Sequence, residues 1–297
     1  MKISISKRRL FTGISFISPW IIGFICFILY PLGASLYYSF TDFSLFSKPE
    51  WIGFTNYFRL FSDPKFLVSL KNTIIFSAMI VPTSILTAMF LAILLNAKIK
   101  ARGLIRGIIF LPSIVPQIAV AVIWIWILNP KWGLLNSVFR LIGLPDAPWL
   151  SSPDWVKWAL LITTLWMIGT DMVLYLAALQ NIPNSYYEAA ELDGANFFQK
   201  TLRITIPLVT PVTFFHLVNA LIWSFQYFNI PYLMGEQGAG KPADSMLFYS
   251  IYLYQNGFRY LKMGYASAMA WILFIILMIA TLIILKTSKG WVHYGVK

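Results

Sequence analysis

The chain has 297 residues, of which 59% are hydrophobic and 11% are charged, with a net charge of +12 and a mean hydropathy of +0.72. Soluble domains are about one-quarter charged, so this composition excludes an ordinary soluble protein and predicts an integral membrane protein. The single cysteine, Cys26, excludes a disulfide framework, and the scattering of basic residues between apolar stretches argues against nucleic-acid binding.

Six apolar stretches are long enough to cross a bilayer, which takes about 20 helical residues. Trp and Tyr mark many of their ends, as is typical at the level of the lipid headgroups. The sequence therefore predicts an all-α polytopic membrane protein, with residues 1–297 forming one transmembrane domain. The six predicted transmembrane helices lie at about 16–38, 72–95, 108–128, 157–180, 206–230 and 264–285, and prolines inside or beside them, among them Pro82, Pro112, Pro116 and Pro211, predict kinks.

The distribution of Lys and Arg predicts the orientation of these spans. Basic residues are denser before span one, between spans two and three, between spans four and five, and after span six than in the other loops. The denser side is cytoplasmic by the positive-inside rule, so both termini are predicted to be cytoplasmic. The basic run Lys7-Arg8-Arg9 precedes an apolar stretch that is too long for a secretory signal and has no small-x-small cleavage site, so span one is predicted to stay uncleaved.

The loop between spans four and five, at residues 184–205, carries a pattern of two short helices. Ser185-x-x-Glu188 matches a capping box and predicts a helix that starts at Ser185. Gly194 is predicted to end it in a left-handed conformation. A second helix is predicted from Ala195 to Arg203, before Pro207 opens span five, with one side formed by Phe197, Phe198 and Leu202. Such a surface outside the membrane is either a docking site for another protein or an amphipathic helix on the lipid.

The stretch GEQGAGKP, residues 235–242, resembles the phosphate-binding pattern G-x-x-x-x-G-K-[ST] except at its last position. Pro242 stands where a hydroxyl would hold Mg²⁺. The stretch lies in the predicted outside loop between spans five and six, and no predicted strand precedes it. We therefore interpret it as a glycine-rich surface turn.

The segment from Glu188 to Pro207 resembles the EAA loop of binding-protein-dependent ABC importer permeases. That family's pattern, EAA-x3-G-x9-I-x-L-P, is matched by Glu188-Ala189-Ala190, Gly194, Ile204 and Pro207, and the only departure is Ile206 in place of leucine. The resemblance extends over nearly the whole chain and narrows to sugar-importer permeases of the maltose and glycerol-phosphate type. Supporting stretches are SPWIIGFICFILYPLGASLYYSFTDF, WIGFTNYFRLF, RGLIRGIIFLPSIVPQIAVAVIWIWILNPKWGLLN and the C-terminal GYASAMAWILFIILMIATLIILK.

The resemblance implies a specific assembly in the bacterial plasma membrane. A second permease subunit, usually a different chain, would complete the translocation path. A cytoplasmic ATPase dimer would bind the EAA loops, and an extracytoplasmic solute-binding protein would deliver a sugar or sugar derivative. The resemblance assigns ATPase coupling to Glu188, Ala189, Ala190, Gly194, Ile204 and Pro207, with Phe197 and Phe198 as exposed aromatic neighbours, and it implies neither enzymatic activity nor a cofactor in this chain.

Polar residues inside the spans are the candidates for the sugar path. Asp171 is the only acid inside a span and is expected to face the bundle interior, with Tyr175 one turn further on the same side. In span five, residues at spacings of three, four and three share one helical face: His216, Asn219, Trp223 and Gln226. These groups either contact sugar or hold helices together through interhelical hydrogen bonds. His216 is expected to be a satisfied packing histidine rather than a metal ligand, because no carboxylate is near it in sequence.

Two other function classes fit the sequence less well. An ion-coupled secondary transporter acting without an ATPase usually needs several intramembrane acids or broken helices in matching repeats, and the sequence offers one acid and no convincing internal repeat. A membrane enzyme would need a catalytic constellation, and the sequence has no paired carboxylates, no H-E-x-x-H and no G-x-S-x-G. The sequence therefore favours the importer subunit.

Overall fold

The computed structural model describes residues 5–97 and 100–293, and the named elements within them are all helical. The isolated antiparallel bridge between Thr41 and Trp51 is the only β contact in this part of the chain. The prediction of an all-α fold is confirmed for the described residues. The two chain ends, 1–4 and 294–297, lie outside them, so the cytoplasmic placement of the termini stays a prediction.

The helices are short in several places where the sequence predicted one continuous span. In chain order they are α1 (Ile5–Phe24), α2 (Tyr30–Ser39), α3 (Thr55–Ser62), α4 (Pro64–Asn96), α5 (Arg102–Phe110), α6 (Gln117–Ile127), α7 (Leu134–Leu141), α8 (Pro153–Leu165), α9 (Gly169–Gln180), α10 (Asn184–Leu192), α11 (Phe197–Lys200), α12 (Ile206–Leu208), α13 (Thr210–Phe225), α14 (Asn229–Met234), α15 (Tyr249–Tyr254) and α16 (Met263–Ser288). Single π-helical turns join α1 to α2 and α11 to α12, so these pairs are continuous rods.

Three unbroken helices are long and apolar enough to cross a membrane: Phe11–Ser39, Pro64–Asn96 and Met263–Ser288. Three further candidates are pairs bent at a short break. The bends are 102° between Arg102–Ile114 and Gln117–Ile127, 52° between Pro153–Leu165 and Gly169–Gln180, and 63° between Phe197–Leu208 and Thr210–Met234. The described chain thus holds three candidate spans, or six when each bent pair is counted as one.

Prolines account for two of the three bends. Pro112 and Pro116 lie at the first, and Pro207 and Pro211 flank Val209 at the third, where each proline removes a backbone donor from the helix. The second bend has no proline. There α9 begins at Gly169, where an added Cβ would lie 2.6 Å from the carbonyl oxygen of Ile109, so close backbone packing requires a glycine.

Contacts between Cα atoms divide the chain into two units. The larger unit, residues 63–252 and 273–293 of the described chain, contains α4 packed against α9 and α13. Ala88 and Ala92 lie one turn apart on α4 and are fully buried, and small side chains at this spacing let a neighbouring helix approach closely. The buried cluster around them also contains Leu95, Ile168, Met172, Tyr175, Leu176, Leu179, Ile182 and Val209.

The smaller unit, residues 5–62 and 253–272 of the described chain, is organised around the end of the first candidate span. Asn56 on α3 is buried, and its amide donates to the carbonyl oxygens of Ser39 at 3.0 Å and Thr41 at 2.9 Å. The bond to Ser39 satisfies a carbonyl group that the end of α2 leaves open, and the bond to Thr41 satisfies one just beyond the helix. They fix α3 against the last turn of α2.

Candidate functional site

The first helix of the loop at 184–205 starts without the predicted capping box. Helix α10 begins at Asn184 after Pro183, and no side chain caps it. Ser185 is therefore already the second helical residue, where its hydroxyl cannot serve as the N-cap. The predicted reciprocal bonds between Ser185 and Glu188 were wrong, because the chain leaves α9 through Ile182 and Pro183 and enters the helix one residue earlier.

Gly194 ends α10 as the sequence predicted. Its φ is +76°, in the left-handed region. Its N–H donates to the carbonyl oxygen of Glu191 at 3.0 Å, and the N–H of Ala195 donates to that of Ala190 at 2.9 Å. This pair of bonds is the Schellman arrangement, which satisfies the last carbonyl groups of a helix.

A capping box does occur in the loop, at a position that the sequence reasoning missed. The Asn196 side chain accepts from the N–H of Gln199 at 2.9 Å, and the Gln199 side chain accepts from the N–H of Asn196 at 2.8 Å. The pattern N-x-x-Q was visible in the sequence as a second capping signal. The helix that follows begins at Phe197, two residues after the predicted start, and it runs through Pro207 to Leu208. Pro207, predicted to open span five, thus lies inside this helix, and the bend of the span is at Val209.

This loop exposes both acidic and apolar side chains. Leu192 is 91% exposed and Phe198 is 73% exposed, and Phe197 and Leu202 are also exposed. Glu188 and Ala189 are exposed beside them, whereas Ala190, Ile204 and Pro207 are partly buried. We call Leu192, Phe197, Phe198 and Leu202 the loop apolar surface.

Two side-chain contacts hold the two helices of the loop together. The Lys200 ammonium donates to the Glu191 carboxylate at 2.7 Å. This hydrogen bond and the charge of Lys200 lower the pKa of Glu191, although Glu191 is exposed. The Tyr187 and Thr205 hydroxyls lie 3.0 Å apart, with Thr205 buried. These contacts connect α10 to the helix that follows it in the loop.

A cavity of about 390 Å³ lies in the larger unit, where α9 and α13 meet the bends of two candidate spans. Its size is within the usual range for small-ligand sites, about 300–1,000 Å³. On one side, Gln117 accepts from the Asn229 side chain at 2.8 Å. The cavity is lined by Ile80, Ser84, Ser113, Gln117, Thr164, Leu165, Met167, Ile168, Thr170, Asp171, His216, Asn219, Ala220, Trp223 and Ile230.

The structure brings Asp171 and His216 together in this cavity. His216 Nε2 lies 3.6 Å from Asp171 Oδ1, and the His216 side chain is only 4% exposed. Its Nδ1 atom is buried and has no hydrogen-bond partner among the described residues. The premise that no carboxylate lies near His216 was therefore wrong, because Asp171 comes from another helix and could not be seen in the sequence around His216. The role of His216 as a packing residue rather than a metal ligand stays a prediction.

The remaining path candidates occupy different positions. Asn219 and Trp223 line the cavity with His216, and the Asn219 amide also donates to the carbonyl oxygen of Phe215 at 2.8 Å. Tyr175 is fully buried and packs edge-on against His216, with ring centroids 5.7 Å apart, but it is not among the lining residues. Gln226 is exposed at the C-cap of α13, beyond the lining residues.

The glycine-rich stretch 235–242 has the context of a surface loop. It connects α14 to α15, with no strand before it and no helix directly after it. Gly238 and Gly240 have φ values of +86° and +76°, and Lys241 pairs with Glu236 at 2.8 Å. Its lysine is thus engaged within the loop. The described residues also contain no group of three or more His, Cys, Asp or Glu side chains that could hold a metal ion.

Comparison with known proteins gives consistent matches along the chain. Residues 80–292 match the family described as binding-protein-dependent transport system inner membrane component. The chain is 43% identical over 297 residues to the probable ABC transporter permease protein YesP of Bacillus subtilis, covering 99% of this chain and 95% of that protein. It is 36% identical over 280 residues to the lactose transport system permease protein LacF of Rhizobium radiobacter, covering 92% of each.

A solved structure shares the fold. A chain in the crystal structure of a bacterial alginate ABC transporter, in complex with an alginate pentasaccharide-bound periplasmic protein, superimposes with a TM-score of 0.85. The alignment covers 97% of this chain and 98% of that chain, at 24% sequence identity. This likeness extends the match from the sequence to the arrangement of the helices.

Proposed function

Because the chain belongs to the family of binding-protein-dependent transport system inner membrane components, we propose that it forms, with a second permease subunit, the path by which a sugar or sugar derivative crosses the membrane. The family supplies the membrane component of ABC importers, and ATP hydrolysis takes place on a separate ATPase subunit. The chain is thus a sugar ABC transporter permease and not an enzyme.

The loop apolar surface is the observation that best supports coupling to an ATPase. Four large apolar side chains are exposed on a loop whose backbone is fixed by the turn at Gly194, the capping box at Asn196 and the ion pair of Glu191 with Lys200. An apolar, exposed surface on a backbone fixed in this way fits a protein partner, since the loop itself needs little ordering on binding. We assign this surface to the cytoplasmic ATPase dimer, with Glu188, Ala189 and Ala190 at its edge.

The cavity supports the assignment of the sugar path. A saccharide presents hydroxyl groups and C–H faces, which suit amide, carboxylate and hydroxyl side chains beside an indole. Asp171, Asn219 and Trp223 provide the carboxylate, the amide and the indole around one space, and Ser113 and Thr164 provide hydroxyl groups. Tyr175 would act through His216, against which it packs. Gln226 lies outside the cavity and is not assigned to the path.

We propose that the chain lies in a membrane with its loops on defined sides and with partner proteins on both. Residues 1–297 form one permease domain in a bacterial plasma membrane, with both termini and the loop at 184–205 in the cytoplasm. An extracytoplasmic solute-binding protein delivers the sugar on the other side, and the solved complex of the alginate transporter with its periplasmic protein supports such a partner. The second permease is a different chain, and membrane lipid surrounds the assembly.

The proposal is tested by purifying the chain with its candidate partner subunits and reconstituting the complex in proteoliposomes. We expect ATP hydrolysis to rise when a sugar-loaded binding protein is added, and sugar to enter the vesicles in proportion. A Phe198→Glu variant should lose the ATPase during purification, because a charge would be buried in an apolar contact. Phe46, which is 88% exposed in the loop before α3, provides the matched control: Phe46→Glu should retain the ATPase.

An ion-coupled transporter would give the opposite result in the same vesicles, because it would need no ATPase. Uptake by the chain alone, driven by a proton or sodium gradient without ATP, would contradict the importer proposal. Retention of the ATPase by Phe198→Glu, with normal uptake, would instead contradict only the assigned docking surface.

A further inference from the structure

Helix α7, between the bent spans that end with α6 and begin with α8, has a continuous exposed apolar side. Leu134, Val138, Leu141 and Ile142 follow the spacing i, i+4, i+7, i+8, which places them in one stripe along the helix. All four are exposed, and Leu141 is 85% exposed. Solvent-facing stripes of this kind on a short helix indicate an apolar partner.

The other side of α7 is fixed to its own loop by Asn136. This side chain is buried, and its amide donates to the carbonyl oxygens of Pro130 and Ala147, each at 3.0 Å. Its oxygen accepts from the Trp149 indole at 2.9 Å and from the N–H of Ala147 at 3.2 Å. The orientation of α7 is therefore set by satisfied hydrogen bonds, and the stripe cannot turn inward without breaking them.

The charges near α7 lie away from the stripe. Arg140 is six residues from Leu134, on the far side of the helix, and its guanidinium donates to both carboxylate oxygens of Asp146 at 3.0 and 2.9 Å. It also donates to the carbonyl oxygen of Lys131 at 3.3 Å and to Ser137 at 3.2 Å. The helix thus has an aliphatic side and a polar side, the arrangement of helices that lie in a membrane interface.

Two tryptophans connect the start of α7 to the end of a candidate span. Trp132, just before α7, contacts Trp126 near the end of α6, with ring centroids 6.4 Å apart. Both rings are exposed, as are Ile118 and Val122 further along α6. Tryptophan is enriched where spans leave the hydrocarbon for the headgroups, so this contact places the start of α7 at that level.

We propose that α7 lies in the plane of the membrane interface, with Leu134, Val138, Leu141 and Ile142 inserted between the headgroups and acyl chains of the leaflet opposite the loop at 184–205. Lipid fits this stripe better than a reversibly bound protein, because it contains only aliphatic side chains and the cores of protein interfaces are enriched in aromatic residues, Met and Arg. The inference is independent of ATP coupling and of the sugar carried.

The test uses single cysteines in a Cys26→Ser background, labelled with an environment-sensitive fluorophore in the complex reconstituted into phosphatidylcholine and phosphatidylglycerol nanodiscs. Leu141→Cys is the reporter, Val138→Cys is a second reporter in case the first fails to assemble, and Ser151→Cys, exposed in the same loop, is the control. Interfacial helices insert to a depth of about 5–10 Å. We therefore expect lipid-attached nitroxides to quench the two reporters strongly and aqueous iodide to quench them weakly, with the reverse at residue 151.

Two outcomes would overturn the assignment. Iodide quenching at residues 138 and 141 equal to that at residue 151 would show a solvent-facing stripe. Protection from both quenchers, or protection that appears only when the solute-binding protein is added, would show that another protein covers the stripe. Neither result would affect the uptake and ATPase measurements, so the two proposals fail separately.

Discussion

Gly194 shows how a single backbone angle shapes the turn in the loop at 184–205. Its φ of +76° is open to glycine, and an added Cβ would meet no other atom within 4 Å. A leucine there would therefore be penalised by the backbone alone, by about 1–2 kcal/mol. We expect Gly194→Leu to distort the turn after α10 and to reduce co-purification of the ATPase, while the membrane spans stay folded.

Gly143 provides the matched control for this change. Its φ is +77°, and a Cβ added there would also meet open space. Gly143→Leu introduces the same strain in the loop that carries α7, away from the loop apolar surface. Equal loss of the ATPase in both variants would point to general destabilisation, and wild-type levels in Gly194→Leu would contradict the role of the turn.

Variants of two amide side chains on span five can distinguish a role in the sugar path from a general role in holding the helix. Asn219 lines the cavity, whereas Gln226 is exposed at the helix end outside it. Loss of a hydrogen bond is worth about 0.5–1.5 kcal/mol, so we expect Asn219→Ala to lower uptake per assembled complex by about two- to tenfold. Gln226→Ala should leave it unchanged.

The measurement for this pair is sugar uptake normalised to assembled complex, with the thermal stability of the same preparations recorded. If Asn219→Ala lowers the melting temperature and leaves uptake per complex intact, the residue holds helices together. Equal losses of uptake from both variants would remove the cavity as the explanation.

Part of the cavity could be predicted from the sequence. The helical period places His216, Asn219 and Trp223 on one face, and the rarity of acids within spans marks Asp171. Ser113, Gln117 and Thr164 could not be found in this way, because they reach the cavity through the packing of other helices. The periodicity of one helix predicts which of its residues share a face. It does not predict which other helices pack against that face.

At the scale of elements, the loop at 184–205 contains two sequences that fit a capping box, and only one forms. Asn196 makes the reciprocal bonds with Gln199, whereas Ser185 lies inside α10. Loss of an N-cap costs about 1 kcal/mol, so Asn196→Ala should speed hydrogen exchange at the Gln199 amide by about fivefold. Ser185→Ala should not change exchange in α10, and slower exchange in Asn196→Ala than in Ser185→Ala would contradict the structure.

The broken spans show why helix boundaries were harder to predict than helix content. Prolines near Val115 and Val209 gave a local signal for two bends, although Pro82 lies within an unbroken α4. The bend before Gly169 has no local signal, because it follows from the close approach of α9 to the backbone of Ile109 and Phe110. Hydropathy registers the apolar length of a segment, and this length is the same whether the segment is straight or bent.

At the scale of the whole molecule, the density of basic residues predicts which ends of the spans face the cytoplasm. A cysteine at Lys241, exposed between α14 and α15, should react with an impermeant thiol reagent added to intact cells in a Cys26→Ser background. A cysteine at Lys289, just after α16, should react only after permeabilisation. The reverse pattern would invert the topology and place the loop at 184–205 on the outside.

The continuity of the rod Phe197–Leu208 has a mechanical consequence. The second helix of the loop and the first part of span five form one piece of 12 residues, about 18 Å long, which ends at the 63° bend. Such a rod is a lever whose fulcrum is the turn at Val209. A tilt of about 10° at the fulcrum would sweep the Phe197 end through about 3 Å, by the length of the helix. A push on the phenylalanines at one end would therefore reach Val209, which lies in the same buried cluster as Tyr175.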